Sequence, residues 1–286
     1  MKHKDQTTMR LTKLFLLLLL LLPAGAANAN TATPDTIALQ RVESHKTQKV
    51  RGEHTVEFNF VGDLPQSSDT IYRNALVWVN NLLTLNPEAE KIDCAQLSAK
   101  QMVEKHQKAF IKDCKADIIE MCKYMTEEDK DYRLSFSYDI TISVAHETKK
   151  FITFRAETYF YTGGAHGGQA FAYATFQKDN GKLLTWDDLF LKNKQGTLSS
   201  LIVGGLQSYF GVPSYADMKE RLILDQNYTR TTFPLPAGNP GLLQDGVRVQ
   251  YASYEIAPYA AGSPMTTIPY AKLRGCWTKE GLKLWK

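Results

Sequence analysis

The sequence predicts an α+β fold in which antiparallel sheet carries helices on one face. Three observations lead there. Helical and strand periodicities fall in separate runs, without the alternation of a βαβ chain. The spacing of apolar residues switches from three or four to two near Tyr132. Three closely spaced strand runs follow that switch, joined by short turns, as an antiparallel meander requires. The 286 residues suffice for one large domain or two small ones with cores of their own. With 43% hydrophobic and 22% charged residues, composition excludes disordered, collagen-like and coiled-coil chains.

At the N-terminus Lys2, Lys4, Arg10 and Lys13 precede the apolar run 14–22, which gives way to Pro23 and a small-residue segment ending Ala27-Asn28-Ala29. This is the pattern of a cleaved secretory signal over residues 1–29. Residues 14–27 fall short of the roughly 20 needed to span a bilayer. No cysteine precedes Cys94, so no lipid-accepting thiol lies near the cleavage site. The expectation is a mature chain that is periplasmic or secreted, with no membrane span. Most of the formal charge of +4 also lies in this leader, where four bases oppose Asp5. The near-neutral remainder lacks the basic stripe that drives phosphate-backbone binding, which excludes nucleic acid as a partner.

A polar stretch continues to Arg51. Residues 54–61 then alternate as a half-buried strand, closed by a turn at Gly62-Asp63 and Pro65. Ser68 and Asp69 can cap a helix over 70–83, where Ile71, Ala75, Trp78, Val79 and Leu82 form one apolar face. A second amphipathic helix is expected over 98–125, with Met102, His106, Phe110, Cys114, Ile118 and Met121 along its stripe. His106 reads there as a residue at the core edge. The meander strands are 132–144, 151–161 and 169–176. A short helix over 185–190, helices over 198–210 and 215–225, a hairpin over 242–251 and a strand near 266–268 complete the chain. Asp187 and Asp188 read as caps of the short helix.

In an oxidising compartment the four cysteines, Cys94, Cys114, Cys122 and Cys276, have three possible pairings. Cys114 with Cys122 is excluded. Eight helical residues rise about 12 Å, whereas bridged Cα atoms lie within about 7 Å. Cys94 with either helical cysteine, leaving the other for Cys276, stays open, as does a buried free thiol at Cys122. No zinc-type spacing or other metal site is present, and no cofactor is implied.

The segment Thr162-Gly-Gly-Ala-His-Gly-Gly168 is the most unusual local feature. Its glycines permit backbone angles and close approaches that side chains forbid, whether as a binding loop or as a wide turn between strands. As a binding loop, main-chain N–H groups around Gly164 and Gly167 can meet an anion or a partner backbone, and His166 adds a donor or a pH-sensitive charge. Neither a Walker loop nor a dinucleotide fingerprint fits its context. Glu255 lies among Tyr254, Pro258 and Tyr259, residues that can wall a groove for a sugar ring or a protein partner. A glycosidase would need a second carboxyl group about 5–9.5 Å away, and the sequence offers no persuasive mate. There is no G-x-S-x-G elbow and no cysteine-nucleophile signature. No catalytic constellation emerges, and the chain is expected not to be an enzyme.

The motifs Tyr159-Phe-Tyr-Thr-Gly-Gly-Ala-His-Gly-Gly168, Gly181-Lys-Leu-Leu-Thr-Trp-Asp-Asp-Leu-Phe190 and Tyr254-Glu-Ile-Ala-Pro-Tyr-Ala-Ala-Gly262 occur in order. Together they resemble the extracytoplasmic domain family of unknown function shared by the lysozyme-sensing anti-sigma factor RsiV and the peptidoglycan deacetylase PdaC. The resemblance covers roughly residues 50–272. It implies an α+β fold of two intimately joined parts, an N-terminal one over 30–160 and a C-terminal one over 161–286. It further implies an envelope module that binds lysozyme-like proteins or peptidoglycan. On that reading His166, Glu255 and Tyr259 are the expected contacts, with Tyr161 and Tyr254 as aromatic neighbours. The alternative is an envelope hydrolase using His166 and Glu255 as an acid–base pair.

Overall fold

A computed structural model describes residues 36–85, 92–129 and 131–285. The expected leader, residues 1–29, lies outside them. Strands β1 (Leu39–Val50), β2 (His54–Pro65), β3 (Ser135–Glu147), β4 (Phe151–Thr162) and β5 (Gly168–Gln177) form a sheet in that spatial order. All neighbours are antiparallel except β2 and β3, which run parallel. A parallel pair needs a long crossover. It is supplied by helices α1 (Tyr72–Leu83) and α2 (Ala99–Met121), which return the chain across one face of the sheet.

That face is the main core. Phe58, Phe60, Tyr138, Ile140, Ile142, Phe154 and Phe176 from the strands meet Tyr72, Leu76, Trp78, Val79, Met102 and Val103 from the helices. Asp69 Oδ1 accepts the Ile71 N–H at 3.0 Å just ahead of α1. Ser98 and Gln101 close a reciprocal capping box on α2, with bonds of 3.2 and 2.9 Å that satisfy two otherwise free N–H groups. His106 is buried against α1, where its Nε2 meets Asn80 Oδ1 at 2.8 Å. Burial without a counter-charge pushes its pKa down to about 4.

The second unit packs α3 (Trp186–Leu189), α4 (Gln195–Phe210), α5 (Tyr215–Lys219) and α6 (Lys279–Trp285) with a three-stranded antiparallel sheet. That sheet comprises β6 (Gly241–Leu242), β7 (Val247–Gln250) and β8 (Met265–Ile268). Its core includes Leu198, Ile202, Val203, Leu206, Phe233, Val249, Tyr251 and Trp277. The units are joined at the β4–β5 end of the large sheet. Phe151 enters the second core, and the buried Thr153 hydroxyl donates to Leu242 O at 2.7 Å. Thr175 Oγ1 accepts the Leu242 N–H at 3.1 Å. Because β5 pairs with β4 through Gln177, the expected division at 160/161 falls inside β4.

Four expectations are corrected. The polar stretch before Arg51 is edge strand β1, and β2 continues through Gly62-Asp63 because Gly62 pairs with both Val42 and Ile142. The helix expected over 215–225 ends at Lys219, and the Ile223 N–H bonds instead to Ile256 O at 3.0 Å. All four cysteines are free thiols. Cys94 belongs to the first core, Cys276 to the second and Cys114 to a satellite cluster beneath α2, so the pairings left open do not form.

Candidate functional site

The glycine-rich segment forms the tip of the β4–β5 hairpin. Gly163 takes φ +80°, a left-handed conformation that favours glycine. Gly167 is needed for close approach, since a Cβ there would lie 2.3 Å from Tyr159 Oη. The loop is tied to its own hairpin where the Tyr161 hydroxyl donates to Gly164 O at 3.0 Å. Gly164 itself is exposed and uncrowded.

Opposite lies the segment 251–262 of the second unit. The His166 ring stacks on Tyr259, with centroids 3.8 Å apart and planes inclined by 18°. The Tyr259 hydroxyl donates to Gly167 O at 2.7 Å. Tyr254 continues the aromatic line, its centroid 5.9 Å from that of Tyr259. It is 41% exposed and sits at φ +66°, uncommon for a residue with a side chain. His166, Gly167, Tyr254 and Tyr259 are thus one assembled edge, with Tyr161 and Gly164 bracing its loop.

Glu255 has a different partnership. Its Oε1 accepts the Ala237 N–H and its Oε2 the Ala252 N–H, each at 2.7 Å. Burial pushes the carboxyl above its usual range, and the two backbone bonds draw it partly back. This geometry clamps two loops behind the aromatic edge. Asp188 serves as a cap, accepting the Thr185 N–H at 2.9 Å while pairing with Lys182 at 2.7 Å. Among the described residues no group of three or more His, Cys, Asp or Glu is placed to hold a metal.

Sequence reasoning missed the sheet surface beside this edge. In-line pairing places His45, Asn59, Asp139, Tyr159 and Gln169 in one row across all five strands. His45 Nδ1 bonds Asn59 Oδ1, and Asn59 Nδ2 donates to Asp139 Oδ1 at 2.7 Å and to Glu57 Oε1 at 2.9 Å. Gln169 donates to Glu157 at 2.8 Å. Tyr159 is 42% exposed. The alternation in β2 and β3 marked these polar positions as one outward face, but only the β2–β3 register puts Asn59 beside Asp139.

The fold and site define an α+β protein of two joined sheets with an exposed aromatic edge at their meeting point. Residues 85–169 match the family model described as Deacetylase PdaC, and residues 187–271 match that of Protein of unknown function (DUF3298). The two matches are consistent with the shared domain family of unknown function that the sequence motifs resemble. His166 and its loop lie in the first stretch, while Tyr254, Glu255 and Tyr259 lie in the second. The fold is shared with a DUF3298 family member from Bacteroides fragilis, at 19% identity and a TM-score of 0.67 over 87% of this chain and 97% of that one. A DUF3298 family protein from Pseudomonas aeruginosa matches at 16% identity and a TM-score of 0.61, over 86% and 96% of the two chains. No curated protein matches the sequence.

Proposed function

We propose that the chain is an exported, non-enzymatic binding module of the bacterial cell envelope that recognises peptidoglycan glycan through the His166–Tyr259–Tyr254 edge. The observation that carries this reading is the edge itself, an exposed aromatic line built from both family-matched stretches. Tyrosine and histidine rings offer apolar faces to a sugar ring and polar tips to its hydroxyls. The neighbouring row of Asn59, Asp139, Tyr159 and Gln169 supplies further donors and acceptors along a surface a glycan can cross. The name of the Deacetylase PdaC model and the export pattern of residues 1–29 support an envelope setting. Among the described residues no helix is long and apolar enough to cross a membrane.

A second reading is a lysozyme-like protein partner, favoured by the resemblance to the lysozyme-sensing domain, with the same edge as its contact. A hydrolase using His166 and Glu255 is less well supported, because both Glu255 oxygens are engaged by backbone N–H groups. Alanine at His166, Tyr254 and Tyr259 together tests the assignment. Binding of glycan fragments or of lysozyme is expected to fall at least about tenfold, a loss of about 1.4 kcal/mol. Unchanged binding in a folded triple variant would place the site elsewhere. Acetate or reducing-sugar release from peptidoglycan that depends on His166 would revive the hydrolase.

A further inference from the structure

We propose that Asn227 is a modification site, the acceptor of an N-linked oligosaccharide attached to the chain outside the cytoplasm. Asn227-Tyr228-Thr229 is the only Asn-x-Ser/Thr triplet in the sequence, and its middle residue is not proline. That triplet is the acceptor pattern of N-glycosylation, which needs it on a surface loop of an exported protein. The site rests on the export read above from residues 1–29, and the loop itself meets the other requirements.

Residues 220–240, between α5 and β6, contain no helix or strand. Irregular connections of this length are uncommon in a compact domain and are mostly functional loops or linkers. Within this one, residues 225–232 are all exposed. The loop is held by bonds that leave the asparagine side chain out. Asp225 Oδ1 accepts the Asn227 N–H at 2.8 Å in an Asx turn, and Asp225 O accepts the Tyr228 N–H at 3.3 Å. From α5 the Tyr215 hydroxyl donates to Tyr228 O at 2.9 Å, and Lys219 Nζ donates to Gln226 O. The Asn227 carboxamide makes no hydrogen bond among the described residues. The Thr229 hydroxyl bonds only within the loop, to the exposed Thr231 and Thr232 hydroxyls at 3.2 and 3.0 Å and to the Thr232 N–H at 3.2 Å.

An amide nitrogen is a weak nucleophile because its lone pair is delocalised into the carbonyl. A transferring enzyme must therefore surround the side chain, which a free and exposed carboxamide allows and a packed one forbids. Thr229 offers that enzyme a hydroxyl two residues on, and Asp225 an exposed carboxylate two residues ahead, which a cationic side chain can pair with. In the transfer, Asn227 Nδ2 attacks C1 of the first sugar of a polyprenyl-pyrophosphate-linked oligosaccharide. The C1–N bond forms as the C1–O bond to pyrophosphate breaks. The lipid pyrophosphate leaves with that bonding pair, and one amide proton passes to a base of the enzyme. Nothing is oxidised or reduced, and the attached glycan extends into the solvent that residues 225–232 already face.

The test is mass spectrometry of the protein isolated from the envelope of the bacterium that makes it. Trypsin cuts after Arg221 and Arg230, which isolates the triplet in peptide 222–230. That peptide is expected to be heavier by whole sugar residues, with fragment ions placing them on Asn227, and Asn227→Gln to return the chain to its sequence mass. A chain processed near residue 30 whose peptide 222–230 is unmodified would overturn the proposal. A chain that keeps residues 1–29 would contradict the export reading instead, and a second measurement, independent of export, then decides the site. Purified, folded residues 30–286 are incubated with a bacterial oligosaccharyltransferase and a polyprenyl-pyrophosphate oligosaccharide. Transfer to Asn227 is expected in the native protein and is expected to be lost in Thr229→Val, with its melting temperature unchanged. Transfer only after denaturation, or equal transfer to Thr229→Val, would overturn the proposal.

Discussion

Replacing Glu255 by Gln separates a structural clamp from a functional acid. The carboxylate accepts the Ala237 and Ala252 N–H groups at 2.7 Å each, joining the stretch before β6 to the segment that carries Tyr254 and Tyr259. An amide is nearly isosteric but has one acceptor oxygen, so one of the two N–H groups must face an NH₂. Bonds to charged acceptors contribute about 1.5–3 kcal/mol when buried. The Ala237 bond is exposed, which lowers its share through solvent screening. Losing one bond and weakening the other therefore costs about 2 kcal/mol. For a chain of this size that corresponds to a fall in melting temperature of about 4–8 °C. Scanning calorimetry of Glu255→Gln beside the parent measures it, with near-ultraviolet circular dichroism reporting tyrosine packing at the edge. A melting temperature unchanged within a degree would refute the clamp and leave Glu255 free for chemistry.

Three further outcomes follow from the same geometry. Ser98→Ala removes the capping box of α2 and is expected to cost about 1 kcal/mol in chemical denaturation, whereas no change would show the cap to be dispensable. The buried His106 stays neutral in the folded state, so the unfolded chain binds the extra proton below its ordinary pKa of 6.5. Stability from this group is complete above that pH and is lost as pH falls toward 4, up to about 3 kcal/mol. His106→Gln, which can still reach Asn80, should flatten denaturation midpoints across that window. Mass spectrometry after alkylation under non-reducing, denaturing conditions should find four free thiols, with Cys122 reacting first in the native protein and Cys114 protected by burial. A bridge from Cys94 or Cys276 to any other cysteine would contradict the separation of the cores.

How far the sequence could be read depended on how local each determinant is. The apolar stripe of α2 through Met102, His106 and Ile118 and the period-two run through Phe136, Tyr138 and Ile140 are written in neighbouring residues, and both were legible. Strand β1 was not, because an edge strand buries little. Only Val42 and Val50 are buried along Leu39–Val50, and the charged residues between them read as a solvated leader. The parallel register of β2 with β3 depends on how two intervening helices pack, which no local pattern records. At the site, the glycines around His166 marked an unusual loop. Its stack on Tyr259 closes 93 positions along the chain, so the motifs supplied both halves without their contact. Glu255 was singled out for its aromatic neighbours, whereas its partners are backbone amides, which carry no sequence signature.

The most direct test of the envelope-binding account is a titration of the purified protein, residues 30–286, with soluble peptidoglycan fragments and, in parallel, with lysozyme. The account predicts saturable binding to the fragments that is lost when His166, Tyr254 and Tyr259 are all alanine. Binding to lysozyme alone, with loss of lysozyme activity, would transfer the same edge to a protein partner. Absence of saturable binding to either would contradict the central claim.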